Sequence, residues 1–304
     1  MSAGAGARVP LPARAQGSSR VHGPSALSGD LRRFWSLTFT LARTEFKVRF
    51  YGSVLGYLWT LVRPLLLFTV LWVFFTQIGH VNDTTAPGSQ FYGAQLLGSI
   101  VLFTFFGEAT GAAVRSMVDR ENMLRKIHFP RLVIPASVVL LAMFNLGLNL
   151  IVWLVFALIA GVHPMLSWLE LPLIIGGLVL VSAGMAMLLA ALFVWFRDMQ
   201  PIWDVLLQIL FYASPVIISL DTIAAKLEGK TFLGVDLLHI YMLNPLAVIF
   251  QQFRHAMVTH QAMSAGQALG SWAALLEPLA IVLAIFAVGF AVFNRSAVRI
   301  AENL

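Results

Sequence analysis

The stretch WAALLEPLAIVLAIFAVGFAVF, residues 272–293, is the clearest apolar run in the sequence and decides the class of fold. A helix needs about 20 mostly apolar residues to cross a hydrocarbon core of about 30 Å, and this run meets that requirement. Several other stretches also reach it, and none shows the alternating pattern of a strand in a membrane barrel. The sequence therefore predicts an all-α integral membrane protein.

Composition supports this prediction. Hydrophobic residues make up 59% of the chain, charged residues 11%, and the mean hydropathy is +0.83, which is outside the range of soluble globular domains. The absence of cysteine excludes disulfides, thiolate metal sites and thiol nucleophiles. A net charge of +6 in a membrane protein usually reports topology, so we expect no nucleic-acid partner.

The amino-terminal part divides into a tail and an amphipathic helix. Residues 1–30 contain almost no large apolar side chains, which predicts a disordered tail, and residues 31–304 are expected to form a single transmembrane domain. On a helix over 31–50, basic residues share one side and apolar residues the other, which is typical of a helix in the membrane interface. The basic residues that would face anionic head groups or a partner are Arg32, Arg33, Arg43 and Lys47.

Two residues of this interface helix break its pattern. Glu45 and Arg49 project toward the apolar side at i,i+4 spacing, where they can pair with each other. Both a specific contact and a partly solvated ion pair at the membrane edge fit them.

Six membrane spans are predicted, at about 55–78, 91–114, 132–160, 169–196, 202–220 and 272–293. Lysine and arginine precede the first span, follow the last, and cluster in the loop 115–131, whereas the loops 79–90 and 161–168 contain neither. The positive-inside rule then places both termini in the cytoplasm. We expect the membrane to be the plasma membrane.

A seventh apolar segment, residues 237–258, is interrupted by Asn244 and Pro245 and contains Arg254. If it crossed the membrane, the carboxyl terminus would lie outside, against the charge distribution. We therefore expect a helix–break–helix element that enters from the outer face and returns, which requires that its irregular backbone lie against protein or a watery cavity.

Polar and aromatic residues inside the predicted spans suggest a path or interhelical bonds. Glu108 lies well within the second span, where an acid is costly; a transport role and a bond to a neighbouring helix both explain it, and the same holds for Asp204 in the fifth span. Gly107 and Gly111 form a G-x-x-x-G pair that would let another helix approach closely. The aromatic residues that could face a channel are Tyr57, Trp59, Phe211 and Tyr212.

We find no catalytic, cofactor or metal motif in the sequence. The sequence EGKT, residues 228–231, looks like the end of a phosphate-binding loop, but Ala224 stands where that loop needs glycine. The histidines lack the spacing of metal ligands.

Four stretches together resemble one family: RTEFKVRFYGSVLGYLW (43–59), FGEATGAAVRSMVDRENMLRKIHFPRLVIP (106–135), FRDMQPIWDVLLQILFYASPVI (196–217) and NPLAVIFQQFR (244–254). In this order they are similar to the membrane, or permease, subunits of ABC exporters that move polysaccharides, including O-antigen, teichoic acid and mycobacterial galactan carriers. The resemblance covers about residue 31 to the end. The amino-terminal tail and Arg63 depart from it.

The resemblance implies a homodimer of six-span half-channels bound to two copies of a separate ATPase, which would hold ATP and Mg²⁺, with no cofactor in this chain. It implies an interface helix at 31–50, a cytoplasmic coupling helix at 114–130 and an outer gate at 220–258. The exported substrate would be a polyprenyl-diphosphate-linked polysaccharide. The residues expected to couple the chain to its ATPase are Arg120, Glu121, Asn122, Leu124, Arg125 and Lys126.

Two other classes stay open. An ABC exporter for a drug or a simple lipid would share the fold. A membrane-embedded glycosyltransferase, or a channel that works without ATP, would not need an ATPase partner.

Reversal of charge at Arg125 and Lys126 tests the predicted coupling helix. If these cations contact the ATPase, the double variant Arg125→Glu/Lys126→Glu should stimulate ATP hydrolysis by the ATPase subunit much less than the wild-type chain does. The variant should still accumulate in the membrane at a normal level. Unchanged export by this variant would contradict the prediction.

Overall fold

Among the residues that the computed structural model describes, five helical segments are long and apolar enough to cross a membrane: Leu58–Ile78, Ser89–Asp119, Val133–Ile159, Leu166–Trp195 and Ala273–Ser296. The structure describes residues 31–49, 56–78, 89–121, 130–232 and 234–303. The predicted tail at 1–30 and the predicted coupling residues Asn122, Leu124, Arg125 and Lys126 lie outside these ranges.

Long helices make up the first half of the chain. They are α1 (Leu31–Arg49), α2 (Leu58–Val73), which continues as a π-helical turn (Phe74–Ile78), α3 (Tyr92–Asp119), α4 (Val133–Ile159) and α5 (Leu171–Trp195). Short 3-10 turns at Ser89–Phe91 and Leu166–Glu170 lead into α3 and α5.

Shorter elements follow before the last long helix. They are α6 (Met199–Ala213), α7 (Leu220–Leu227), an antiparallel hairpin of β1 (Thr231–Phe232) and β2 (Val235–Asp236), α8 (Leu237–Met242), α9 (Pro245–Met257), α10 (Ala265–Ala268), a 3-10 turn (Ala273–Leu275) and α11 (Leu276–Asn303). In the hairpin, Thr231 faces Asp236 and Phe232 faces Val235.

The predicted fifth span, 202–220, differs from the observed helix. Helix α6 has 15 residues and ends at Ala213, so it is about 22 Å long, shorter than the hydrocarbon core. Its end has a local cause, because Ser214 precedes Pro215 and the residue before proline disfavours the helical conformation. Ser214 is accordingly extended, with ψ of 154°.

The interruption predicted at Asn244 separates α8 from α9. The Asn244 side chain accepts a hydrogen bond from the Leu246 amide at 3.1 Å, and Pro245 takes the first position of α9. Both residues suit the start of a helix. How the α8–α9 element lies relative to the bilayer stays a prediction.

Helix α3 is at the centre of the bundle. Of its most apolar window, 67% is buried inside the protein, against 17% for both Leu58–Ile78 and Ala273–Ser296. It packs against α4 and α5, and α5 packs in turn against α11. The peripheral helices α2 and α11 therefore present apolar surface to lipid or to another chain.

A close helix approach joins α5 to α11 through two glycines. A Cβ atom on Gly184 would lie 2.7 Å from the Phe286 Cα, and one on Gly289 would overlap the Gly184 carbonyl. The close approach predicted at Gly107 and Gly111 is not seen within the described residues, since a Cβ there would meet nothing within 4 Å or only a Leu207 methyl at 3.9 Å. The G-x-x-x-G spacing indicates a smooth helix face but not which face is covered.

Substitution of Gly289 by alanine should lower the thermal stability of the purified protein. The new methyl group has no space, and overpacking of this kind costs about 1–3 kcal/mol. Gly176→Ala is the matched control, because Gly176 lies in α5 with open space at its Cβ position. Equal melting temperatures for the two variants in detergent would contradict the assigned contact.

Candidate functional site

A cavity of about 670 Å³ lies where α1 meets α3, α4 and the start of α6. Its walls carry charges of both signs beside apolar side chains, an unusual combination at the edge of a membrane bundle. The charged residues that line it are Glu45 and Arg49 of α1, Arg115 and Asp119 of α3, and Arg120. It therefore brings part of the predicted interface helix next to the first predicted coupling residue.

An ion pair connects the two segments across this cavity. Arg120 Nη2 donates to Glu45 Oε2, and the two side chains are 14% and 39% exposed. The sequence pattern indicated Arg49 as the partner of Glu45, and the structure assigns Arg120 to it. A partly buried, charge-assisted pair is stronger than an exposed one, so the end of α3 is fastened to α1.

A second ion pair nearby has a different environment. Arg115 Nε lies 3.7 Å from Asp119 Oδ1 one turn later on α3, with side chains 60% and 59% exposed. Such a pair contributes little to stability. Glu121 follows Arg120 at the end of the described segment 89–121 and is partly exposed.

Aromatic contacts hold α1 against α4 and α2. Phe144 of α4 makes edge contacts with Phe39 and Phe46, with ring centroids 6.0 and 5.8 Å apart. Phe46 also stacks on Tyr57, at 4.8 Å, so Tyr57, a predicted channel residue, belongs to this packing. Trp59 remains 45% exposed.

The amphipathic pattern of α1 is largely observed. Phe34 and Ala42 are buried, and the basic residues Arg32, Arg33, Arg43 and Lys47 are exposed. Thr38 is also fully buried, and its hydroxyl donates to the Phe34 carbonyl at 2.9 Å. A threonine that satisfies its own hydroxyl in this way fits an apolar stripe.

Glu108 is bonded to a neighbouring helix. Asn145 of α4 donates from Nδ2 to Glu108 Oε2 at 2.8 Å, and Asn149 donates to the Asn145 carbonyl at 2.9 Å. The second of the two explanations that the sequence allowed requires such a bond, and the transport role stays a prediction. Asp204 accepts from Gln200 at 3.2 Å on the exposed side of α6. Neither contact gives the acid a chemical role.

Trp203, absent from our sequence predictions, makes a buried contact between helices. Its Nε1 donates to Thr110 Oγ1 of α3 at 3.1 Å. This bond joins α6 to α3 through two neutral side chains. Neither side chain carries the charge by which polar residues inside the spans were recognised in the sequence.

The predicted gate residues Asn244 and Arg254 meet at the irregular segment 214–219 that follows α6. Arg254 donates to the carbonyls of Val216, at 2.8 Å, and Ile218, at 3.2 Å. The Tyr92 hydroxyl donates to the intervening carbonyl, of Ile217, at 3.2 Å, and Asn244 Nδ2 donates to Ser214 Oγ at 3.1 Å.

Arg254 is 1% exposed. Burial lowers the pKa of its guanidinium to about 10, partly offset by nearby groups that include Asp221. It stays protonated at neutral pH, so a buried cation fixes the irregular turn.

The remaining aromatic candidates separate. Phe211 packs edge-on against Phe103 of α3, at 5.0 Å, whereas Tyr212 is 68% exposed. Of the predicted aromatic channel residues, Tyr57, Trp59 and Tyr212 are 44%, 45% and 68% exposed, whereas Phe211 is partly buried. Over the described part of the chain, no cluster of three or more potential ligand side chains could hold a metal ion.

A family model described as ABC-2 type transporter matches residues 36–258. The chain is 28% identical over 245 residues to the O-antigen export system permease protein RfbA of Myxococcus xanthus, which covers 81% of this chain and 92% of that protein. It is 26% identical over 276 residues to the protein of the same name in Klebsiella pneumoniae, with coverage of 90% and 97%. The matched region contains the cavity, most of α1 and the Arg254 turn.

A double-mutant cycle measures the ion pair across the cavity. Replacement of Glu45 and Arg120 by glutamine, singly and together, should give a coupling free energy of unfolding of about 1–3 kcal/mol, because the pair is partly buried and joins two elements. The same cycle on Arg115 and Asp119 should give about 0.5 kcal/mol or less, because that pair is exposed. Equal coupling energies for the two pairs would be inconsistent with a fastening role.

Proposed function

The chain belongs to the ABC-2 type transporter family, and on that premise we propose that it is the permease subunit of an exporter for a lipid-linked polysaccharide. The observation that carries the mechanism is the ion pair between Glu45 and Arg120, beside a charged cavity at the end of α3. The relatives named as O-antigen export permeases support a polysaccharide as cargo. ATP hydrolysis would take place on a partner ATPase.

The proposed topology is a six-span half-channel with both termini in the cytoplasm, in the plasma membrane. Helix α6 is the short fifth crossing, and the Arg254-held segment 214–219 continues it toward the outer face. Helices α7–α9 then form the outer gate. Irregular backbone at this depth is tolerated when protein groups satisfy it, which the carbonyl contacts of Arg254 and Tyr92 do.

In the proposed mechanism, two ATPase subunits bind a homodimer of this chain at residues 114–130. Closure of the ATPases displaces the end of α3, and the Glu45–Arg120 pair passes this displacement to α1. Since α1 packs on α4 through Phe144, the movement reaches the membrane bundle. Separating the pair would leave α3 and α1 to move independently.

The proposed cargo is a glycan of O-antigen, teichoic acid or galactan type on a polyprenyl diphosphate. Arg49 and Arg115 at the cavity, with the exposed cations of α1, provide positive charge for a diphosphate that arrives from the cytoplasmic leaflet. The three arginines and two acids that line the cavity leave a net charge of +1, to which the exposed cations of α1 add. The sugar chain would follow toward the outer gate.

Depletion of the protein in its host tests the cargo and the mechanism together. We expect a lipid-linked glycan to accumulate inside the cell, because synthesis continues while export stops. Wild-type protein should clear it, Glu45→Arg should not, and the exchanged pair Glu45→Arg/Arg120→Glu should restore export in part.

The control for this experiment is Arg197→Gln, which removes an exposed cation that does not line the cavity and should export normally. Depletion without accumulation of a glycan would overturn the polysaccharide assignment in favour of a drug or simple lipid. Normal export by Glu45→Arg would overturn the role of the ion pair alone.

A further inference from the structure

A second opening, of about 360 Å³, lies between α1, α4, α5 and α11. We call it the apolar groove and define it by Trp35, Pro135, Ala136, Met187, Phe286 and Phe290. Every side chain that lines it is apolar. The groove shares α1 and α4 with the charged cavity but contains no residue of α3 or α6, so it lies on another side of the protomer from the proposed path.

The groove is at one end of the helix bundle. It lies beside the first turns of α1 and α4 and the middle turns of α5 and α11. This is the end that the charge distribution places at the cytoplasmic face. Trp35 at its edge is 60% exposed, which suits an indole at the level of lipid head groups.

Arg131 borders the groove in the sequence and is not itself among the residues that line it. It directly precedes Leu132, which lines the groove at the start of α4. Arg131 is only 7% exposed, yet its Nη1 has no hydrogen-bond partner among the described residues, and burial lowers its pKa. A buried guanidinium nitrogen without an acceptor is costly, so an anionic acceptor within reach of Nη1 would stabilise the protein.

We propose that the apolar groove holds a hydrocarbon chain of one anionic membrane phospholipid, whose phosphate accepts hydrogen bonds from Arg131. The groove supplies apolar contact and Arg131 supplies the charge, which together match the two parts of such a lipid. Arg32 and Arg33 add positive charge next to Phe34 and Trp35 on α1.

The size and place of the groove favour a resident phospholipid over the transported lipid. A volume of about 360 Å³ accommodates part of one acyl chain, and the groove lies apart from the charged cavity where the transported diphosphate would bind. A lipid seated there would bridge α1 to α4, α5 and α11. It would therefore fasten the beginning of α1 to the bundle, independently of what the protein exports.

Native mass spectrometry of the full-length chain, purified in detergent and titrated with phosphatidylglycerol or phosphatidylcholine, tests this proposal. We expect one phosphatidylglycerol per protomer, bound about tenfold more tightly than phosphatidylcholine, because the choline of phosphatidylcholine offsets the phosphate charge that Arg131 would face. Arg131→Gln should remove this preference, and Arg131→Lys should keep most of it.

Filling the groove separates the chain contact from the charge contact. Ala136→Phe should weaken the binding of both lipids, whereas Gly176→Leu on the open face of α5 and Arg197→Gln on the exposed surface should change neither. Monodispersity on size exclusion shows that each variant is folded. If Arg131→Gln is not monodisperse, Arg131→Lys and Ala136→Phe decide the question.

Three results would overturn the proposal. They are equal affinity for the two lipids, phosphatidylglycerol binding that Ala136→Phe leaves unchanged, and displacement of phosphatidylglycerol by a lower concentration of polyprenyl phosphate. The last would assign the groove to the transported lipid. None of them bears on whether a glycan accumulates on depletion, so the two proposals fail separately.

Discussion

Within a bilayer, every backbone carbonyl and amide must find its hydrogen-bond partner inside the protein, and this constraint governs the structure described above. The long helices meet it internally. The segment between α6 and α7 cannot, because Pro215 prevents a continuous helix, and its three consecutive carbonyls are met instead by Arg254 and Tyr92. The irregular turn after α6 therefore depends on a buried arginine of α9.

Charged side chains between helices also find their partners inside the protein. Glu45 is engaged by Arg120 and Glu108 by Asn145, so each acid links two elements that are distant in sequence. These contacts give the bundle specific connections where apolar packing alone would allow sliding. The first of them lies at the surface of the charged cavity, which places a mechanical connection beside the proposed binding position of the diphosphate.

Sequence patterns predicted the long helices, the amphipathic α1 and the break at Asn244 because length, periodicity and helix-start residues act locally. They did not predict the partner of Glu45, since Arg49 and Arg120 are equally suitable by chemistry and only tertiary packing selects between them. The glycine contact was assigned to Gly107 and Gly111 for a similar reason, as small residues allow close approach at several places and the fold uses Gly184 and Gly289. Pro215 in the sequence indicates that α6 ends at Ala213. The predicted span nevertheless continued to residue 220 because the residues after Pro215 are apolar.

The contact between Gly184 and Gly289 has a consequence for how the molecule can deform. Two backbones in direct contact have no intervening side chains whose rotamers could change, so α5 and α11 can shift only as one rigid body. Conformational change during a transport cycle must then be absorbed by elements joined through longer side chains, which are α1, α6 and the segment 214–219. We therefore expect α5 and α11 to move together, and α1, α6 and the segment 214–219 to move against them.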